Sequence, residues 1–142
     1  ERYDIGVDLW SVTSYKALRE EALAVERWNR LHPTQTARQP LVTELLSGTT
    51  GPIVAVTDFM KIVPAQIARF IPGRTFVPLG TDGMGRSDTR EALRHFFEVD
   101  AGHIVLAVLG ALAAEGLSGP AELHAAMEQF GIDPNAANPA VV

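Results

Sequence analysis

The run Ile-Val-Ala-Val-Thr at residues 53–57 limits the possible folds of this chain more than any other sequence feature. Apolar and β-branched residues without polar alternation are typical of a strand buried on both faces of a parallel sheet. Parallel strands need long crossover connections, which are usually helices. The run therefore predicts a layered α/β domain built on a mainly parallel sheet.

Two other segments are predicted to be strands of the same sheet. Asp4–Val12 alternates apolar with small or polar side chains, and Thr75–Leu79 is a short run in which Pro78 suits a strand end or an edge. These strands are few for a domain of this length, because sheets usually have about 4–6 strands. We therefore expect a segment that pairs with these strands to lie outside the sequence.

Capping residues and helix-breaking prolines mark the ends of helices in the first half of the chain. Ser14 is the predicted N-cap of a helix that ends at His32-Pro33, because the residue before a proline is pushed out of the α region. A short helix is predicted over Leu41–Leu46, and another begins near Pro64 and runs to Phe70. Helices thus alternate with the predicted strands, as in α/β domains.

Three more helices are predicted in the second half of the chain. Asp88, with a glutamate three residues later, resembles a capping box and begins the first of them. Asp100 is expected to cap the second, over Ala101–Ala114. The last helix begins at residues 118–120 and is closed by Gly131.

A single domain accounts for the length of 142 residues. The α/β domain is predicted over residues 1–132. Residues 133–142, which include two prolines and two asparagines, are predicted to form an irregular tail.

Composition excludes several classes of protein. A net charge of −5 argues against general nucleic-acid binding, and a hydrophobic fraction of 46% suits a packed domain rather than a disordered one. Without cysteine the chain forms no disulfide, zinc ribbon or thiol nucleophile. The apolar run that begins at Ile104 is too short to span a bilayer, so we expect no membrane partner.

The most glycine-rich stretch, residues 80–88, leaves a predicted strand and opens a helix, where α/β folds place ligands. Its spacing, Gly80-x-x-Gly83-x-Gly85, is not that of a dinucleotide fingerprint, and Arg86-Ser87 only partly imitates a phosphate-binding loop. Either the glycines permit positive φ in a compact loop, or the loop binds phosphate or another anion. Asp82 and Asp88 would repel a phosphate, which favours the first interpretation. The candidate site residues of this loop are Gly80, Thr81, Asp82, Gly83, Gly85, Arg86, Ser87 and Asp88.

The remaining polar residues form no obvious catalytic or metal-binding pattern. None of the four histidines is paired with another at helical spacing, although His95 and His103 could flank one site across the turn between two helices. The sequence has no Gly-x-Ser-x-Gly nucleophile elbow, and helix capping explains most carboxylates near helix starts. We therefore predict no catalytic, cofactor-binding or metal-binding residue.

Several segments together carry a family resemblance. They are Trp10–Ser14, Glu26–Pro33, Thr57–Lys61, Leu79–Arg90 and Leu93–Asp100. With them the chain closely resembles the carboxy-terminal domain of the homodimeric bacterial pyruvate dehydrogenase E1 components, in the thiamine-diphosphate-dependent transketolase superfamily. The Glu-Arg-Trp-Asn-x-Leu-His-Pro stretch narrows the match to this E1 type, because transketolases share the glycine-rich loop more widely.

The resemblance implies a non-catalytic assembly domain that packs on upstream domains of its own chain and contributes to a homodimer. It implies that thiamine diphosphate and Mg²⁺ bind between the first two domains of the full-length enzyme. No catalytic or cofactor-binding residue then carries over to this sequence, and this part alone binds neither group. The resemblance also implies an upstream strand, turn and helix, with Arg2-Tyr3 at the end of that helix.

The full-length protein implied by the resemblance is a cytoplasmic pyruvate dehydrogenase. It would oxidatively decarboxylate pyruvate and transfer the acetyl group to the lipoyl group of the E2 dihydrolipoyl acetyltransferase, whereas the present part alone would be inactive. A related 2-oxo acid stays open as substrate, because substrate choice would be set in other domains. Two other functions stay open: an anion- or nucleotide-binding module that uses Gly80–Ser87, and an adaptor that docks E2.

Overall fold

The structure is a computed structural model that describes residues 3–142. It confirms the α/β class with a small parallel sheet. The elements in chain order are α1 (Tyr15–Leu31), α2 (Leu41–Leu46), β1 (Ile53–Val56), α3 (Ile62–Ala65), a 3-10 turn (Ala68–Phe70), β2 (Phe76–Leu79), α4 (Arg90–Phe96), α5 (Ala101–Ala114) and α6 (Pro120–Phe130). A helix end is predicted at Arg2-Tyr3. Arg2 lies outside the described residues, and Tyr3 is in a turn.

The sheet consists of β1 and β2 side by side in parallel, as the sequence predicts. Ala55 pairs with Pro78, which lacks an N–H, so the proline occupies an edge position that needs no donor there. Ala55 is buried, but Val56 is 37% exposed. The expected burial of β1 on both faces is therefore wrong at its carboxyl end.

The strand predicted over Asp4–Val12 is not formed. These residues have no regular secondary structure, and the side chains of Val7 and Leu9 are 73% and 95% exposed. A strand needs hydrogen-bonding partners on at least one edge, and within residues 3–142 no strand lies beside this segment. Apolar alternation thus shows that this segment could form a strand, but within the described residues no neighbouring strand pairs with it.

Helix α1 begins and ends where its caps predict, and it covers the main core. The Ser14 hydroxyl oxygen accepts a hydrogen bond from the Ala17 N–H at 3.1 Å, and the N–H of the C-cap His32 donates to the carbonyl of Trp28. The buried core cluster contains Ala22 of this helix together with Val42, Ile67, Phe70 and Ile71.

The helix predicted from Pro64 to Phe70 is replaced by the short helix α3 and a separate 3-10 turn. Beyond Pro64 the hydrogen bonds connect residues three apart: the Ile67 N–H donates to the Pro64 carbonyl at 3.2 Å, and the Phe70 N–H donates to the Ile67 carbonyl at 3.0 Å. This pattern belongs to 3-10 geometry, so an α-helix does not continue through the segment.

Helices α5 and α6 form the second half of the domain. Their close approach depends on Gly102, because a Cβ there would lie 2.8 Å from the Cβ of Phe130. The amino end of α6 is fastened by Glu122, whose carboxylate accepts from the Gly119 N–H at 2.7 Å and from the Ser118 hydroxyl at 2.5 Å. Gly131, with φ +64, closes α6 as predicted.

By length and composition alone, the helical stretch Arg90–Ala114 is long and apolar enough to cross a membrane, although the apolar run that begins at Ile104 is too short by itself. The structure divides this stretch into α4 and α5, with the polar residue Asp100 at the joint. Helix α5 packs against both strands and α6. These contacts bury Gly102, Leu109 and Ala111 and leave most other residues of α5 half-buried.

Arg74 fastens the loop before β1, and Arg74→Ala is expected to lower the free energy of unfolding by about 1–3 kcal/mol. Its guanidinium donates to the carbonyls of Gly51 and Thr50 at 2.6 and 3.0 Å and to the Thr49 hydroxyl at 2.7 Å. Urea denaturation followed by circular dichroism measures the change. Arg19→Ala, on the exposed face of α1, is the matched control, and equal midpoints for both variants would contradict the prediction.

Candidate functional site

The glycine loop, residues 80–88, follows β2 and is fastened to the segment that follows β1. A Cβ at Gly80 would collide with the carbonyl oxygen of Phe59 and lie 2.8 Å from the Lys61 nitrogen. Beside it, the Thr81 N–H donates to the same Phe59 carbonyl at 2.9 Å. Glycine is therefore required at position 80 by the close approach of two backbones, not by its dihedral angles.

The next residues of the glycine loop contact both this segment and the carboxy-terminal tail. The Asp82 carboxylate accepts from the Lys61 N–H at 2.9 Å. Gly83 has φ +99, and a Cβ there would collide with the carbonyl oxygen of Pro139, a buried residue of the tail. The interpretation that the glycines permit positive φ in a compact loop thus holds at Gly83. The loop is packed between two other parts of the chain.

Helix α4 begins one residue later than predicted. Thr89, not Asp88, is the N-cap: its hydroxyl accepts from the Ala92 N–H at 3.2 Å. The Asp88 carboxylate instead accepts from the Thr89 N–H at 2.7 Å. A threonine directly after an aspartate competes for the capping position, which the spacing rule alone does not resolve.

Beyond the glycine loop lies an open cavity of about 340 Å³. We call it the arginine cleft, because its charged lining residues are Arg86, Arg90, Arg94 and Asp58. Arg94 and Asp58 form a loose, exposed ion pair at 3.9 Å. The guanidinium of Arg86 lies 3.9 Å from the ring centre of Phe96, a cation–π contact that restrains this lining side chain. The other candidate, Ser87, is exposed in a neighbouring cavity.

A second cluster joins α4 to α5, and only part of it was anticipated. His95 Nδ1 lies 2.7 Å from Asp100 Oδ2, and His103 Nδ1 lies 2.7 Å from Asp100 Oδ1. Because an ionised carboxylate only accepts hydrogen bonds, both ring N–H groups donate to it. The two histidines flank one site, as their positions allow. Asp100 and His103 have Asp-x-x-His spacing at a helix start, which places their side chains together. The spacing of the histidines alone does not indicate this contact.

Opposing effects act on the pKa of Asp100. Burial raises it, but hydrogen bonds from the His103 N–H and from the His95 and His103 rings, together with the charge of His103, outweigh burial and hold the pKa below its ordinary value. Asp100 also caps α5, accepting from the His103 N–H at 2.9 Å, as the sequence predicts.

Asp100→Ala is expected to lower the free energy of unfolding by about 0.5–2 kcal/mol at neutral pH, because the cap is lost. A depressed folded-state pKa stabilises the fold above the unfolded pKa of about 4, and this contribution disappears as pH falls through the folded value. The difference from the parent chain should therefore shrink below about pH 4. Denaturation between pH 3 and 7 measures it. Asp100→Asn, which can still cap, is the control, and a constant difference across this range would refute the prediction.

The elements define a small α/β domain with parallel strands and a glycine loop after the last strand. Residues 1–100 match the family model described as transketolase-like TK C-terminal domain. The chain belongs to this family.

Three curated relatives, each named pyruvate dehydrogenase E1 component, confirm the resemblance predicted from the sequence. The chain is 50% identical over 137 residues to that of Pseudomonas aeruginosa, 49% over 138 to that of Cupriavidus necator and 43% over 137 to that of Escherichia coli K12. Each match covers 96% of this chain but only 16%, 15% and 15% of the relative. The chain thus spans less than a fifth of the length of these relatives.

Proposed function

We propose that this chain is a carboxy-terminal, non-catalytic assembly region of a pyruvate dehydrogenase E1 component. The observation that carries the proposal is the continuous similarity over 96% of the chain to proteins about six times its length. In the proposed parent enzyme, pyruvate is oxidatively decarboxylated and the acetyl group passes to the lipoyl group of E2. The parent would be a cytoplasmic homodimer, with this region packed on upstream domains of the same chain.

Exposed apolar side chains support the assembly role. Phe59, Met60 and Ile62 follow β1 and are 70%, 57% and 61% exposed. The backbone of this segment is hydrogen-bonded to the glycine loop, through the Phe59 carbonyl and the Lys61 N–H. These bonds fix the position of the exposed side chains. A rigid apolar surface is typical of a contact with another protein region. We define these three residues as the docking surface.

We also propose that thiamine diphosphate and Mg²⁺ bind outside this chain in the parent enzyme. Magnesium in such sites is held by one or two carboxylates together with phosphate oxygens. In the glycine loop, Asp82 is engaged by the Lys61 N–H and Asp88 by the Thr89 N–H. The backbone hydrogen bonds of these two carboxylates support the proposal that the cofactor binds in other domains, and no reaction step is assigned to a residue of this chain.

Titration calorimetry with thiamine diphosphate and Mg²⁺ tests this part of the proposal. No saturable heat is expected when the cofactor is added to the purified 142-residue chain. A dissociation constant in the micromolar range would contradict the proposal, because such an affinity requires a formed cofactor site.

A second candidate function, anion binding, is favoured by the arginine cleft. Three guanidinium groups line one cavity, and arginine recognises phosphate and carboxylate through paired hydrogen bonds. The backbone N–H groups of residues 83–87 form no backbone hydrogen bond in the described range 3–142. Titration with inorganic phosphate should then give weak saturable binding that Arg90→Gln abolishes. Binding unchanged in this variant would exclude the cleft.

A further inference from the structure

We propose that His95, Asp100 and His103 form a binding site for a transition-metal dication of the Zn²⁺ type. One potential ligand atom from each residue lies within 4.8 Å of those of the other two. Imidazole nitrogen and carboxylate oxygen are both ligands that Zn²⁺ accepts in proteins, at about 2.0–2.2 Å. The three side chains are thus gathered before any metal arrives.

The backbone between α4 and α5 holds these residues together. Glu98 adopts φ +58, a conformation that few residues other than glycine take, and its N–H donates to the His95 carbonyl at 3.1 Å. The Val99 N–H donates to the Arg94 carbonyl at 2.9 Å. This tight turn separates the end of α4 at Phe96 from Asp100, the N-cap of α5, so His95 lies in the last turn of α4. The ligands therefore come from two helix ends fixed by main-chain hydrogen bonds.

The arrangement of the ligand atoms favours exchange of the two hydrogen bonds for metal bonds. Each ring Nδ1–H now donates to its own oxygen of the Asp100 carboxylate at 2.7 Å. On metal binding, each ring releases its Nδ1 proton to water and carries a proton on Nε2 only, so the Nδ1 lone pair faces the metal. Two nitrogens and one carboxylate oxygen then leave a fourth tetrahedral position for water.

Burial of the cluster also suits a metal site with access from solvent. The His103 side chain is 12% exposed and that of Asp100 is 27% exposed, whereas His95 is 57% exposed. Two ligands are therefore positioned by packing and the third closes the site from the solvent side. This asymmetry allows a hydrated cation to enter without opening of the core.

Titration calorimetry of the chain with ZnCl₂ tests the proposal, with circular dichroism to check the fold of each variant. One Zn²⁺ per chain is expected, and His95→Ala or His103→Ala should weaken binding about tenfold or more. Asp100→Asn can still cap α5, so it should lose Zn²⁺ affinity while the fold is kept.

His124→Ala is the matched control, because it removes a histidine on α6 that is 71% exposed and outside the cluster. Its Zn²⁺ affinity should equal that of the parent chain. Tetrahedral Co²⁺ absorption that disappears in His103→Ala would support the same ligand set. Absence of saturation below about 1 mM Zn²⁺ would overturn the proposal, as would binding that is unaffected in both histidine variants of the cluster.

Discussion

Leu109→Ala is expected to lower the free energy of unfolding by about 2–5 kcal/mol, because it leaves a cavity in a packed interior. The Leu109 side chain is 2% exposed and is among the largest fully buried side chains of the described chain. It lies on α5, the helix that packs against both strands and α6. Guanidinium denaturation followed by circular dichroism gives the change in free energy.

Leu117→Ala is the matched control for this substitution. Leu117 is 69% exposed just beyond the same helix, so the same atoms are removed without a cavity. Its effect should stay within about 0.5 kcal/mol. Similar losses in the two variants would mean that α5 does not pack as described.

Gly83→Ala is expected to cost about 2–4 kcal/mol, because backbone strain and a steric clash act together. At φ +99 a side chain is unfavourable, and the new Cβ would collide with the carbonyl of Pro139. Relief of the clash requires the tail to move away from the glycine loop. Thermal denaturation should show the loss of stability, and limited proteolysis should show faster cleavage within residues 133–142.

Gly85→Ala is the control within the same loop. No atom lies within 4 Å of a Cβ built at Gly85, and its φ is outside the positive range. This variant should unfold within about 0.5 kcal/mol of the parent chain. If both alanine variants behave alike, the glycine loop is not held by the tail.

Local signals in the sequence predict most of the elements correctly. Ser14 and Asp100 each cap the helix that follows, because a side-chain oxygen can satisfy a free N–H from its own neighbourhood. The strands over 53–57 and 75–79 are recognised by β-branched and apolar runs, and they pair in parallel as expected. Elements defined by short-range chemistry were therefore predictable.

The failures depend on contacts between distant parts of the chain. The segment Asp4–Val12 has the alternation of a strand, but no local feature reports whether a partner strand is present. The helix predicted from Pro64 to Phe70 is interrupted because its hydrogen bonds change from α to 3-10 spacing. Apolar periodicity does not reveal this change.

The candidate site was predictable only in outline. Glycine spacing indicates a compact loop at residues 80–88, but the partners that require Gly80 and Gly83 are Phe59 and Pro139, which are far away in the sequence. Likewise, the arginine cleft combines Asp58 with residues of α4, a contact that only the fold creates. The sequence therefore predicts the extent of the loop, but only the structure identifies the residues that contact it.

A chimeric enzyme tests the proposed function most directly. This chain would replace the matching region of the Pseudomonas aeruginosa relative, to which it is 50% identical, and the same region of the Cupriavidus necator relative would serve as the control graft. The proposal predicts that both chimeras dimerise and retain pyruvate dehydrogenase activity, and that Phe59→Asp on the docking surface disrupts assembly of the first. A first chimera that dimerises and binds thiamine diphosphate but shows no turnover, beside an active control graft, would contradict a non-catalytic assembly role.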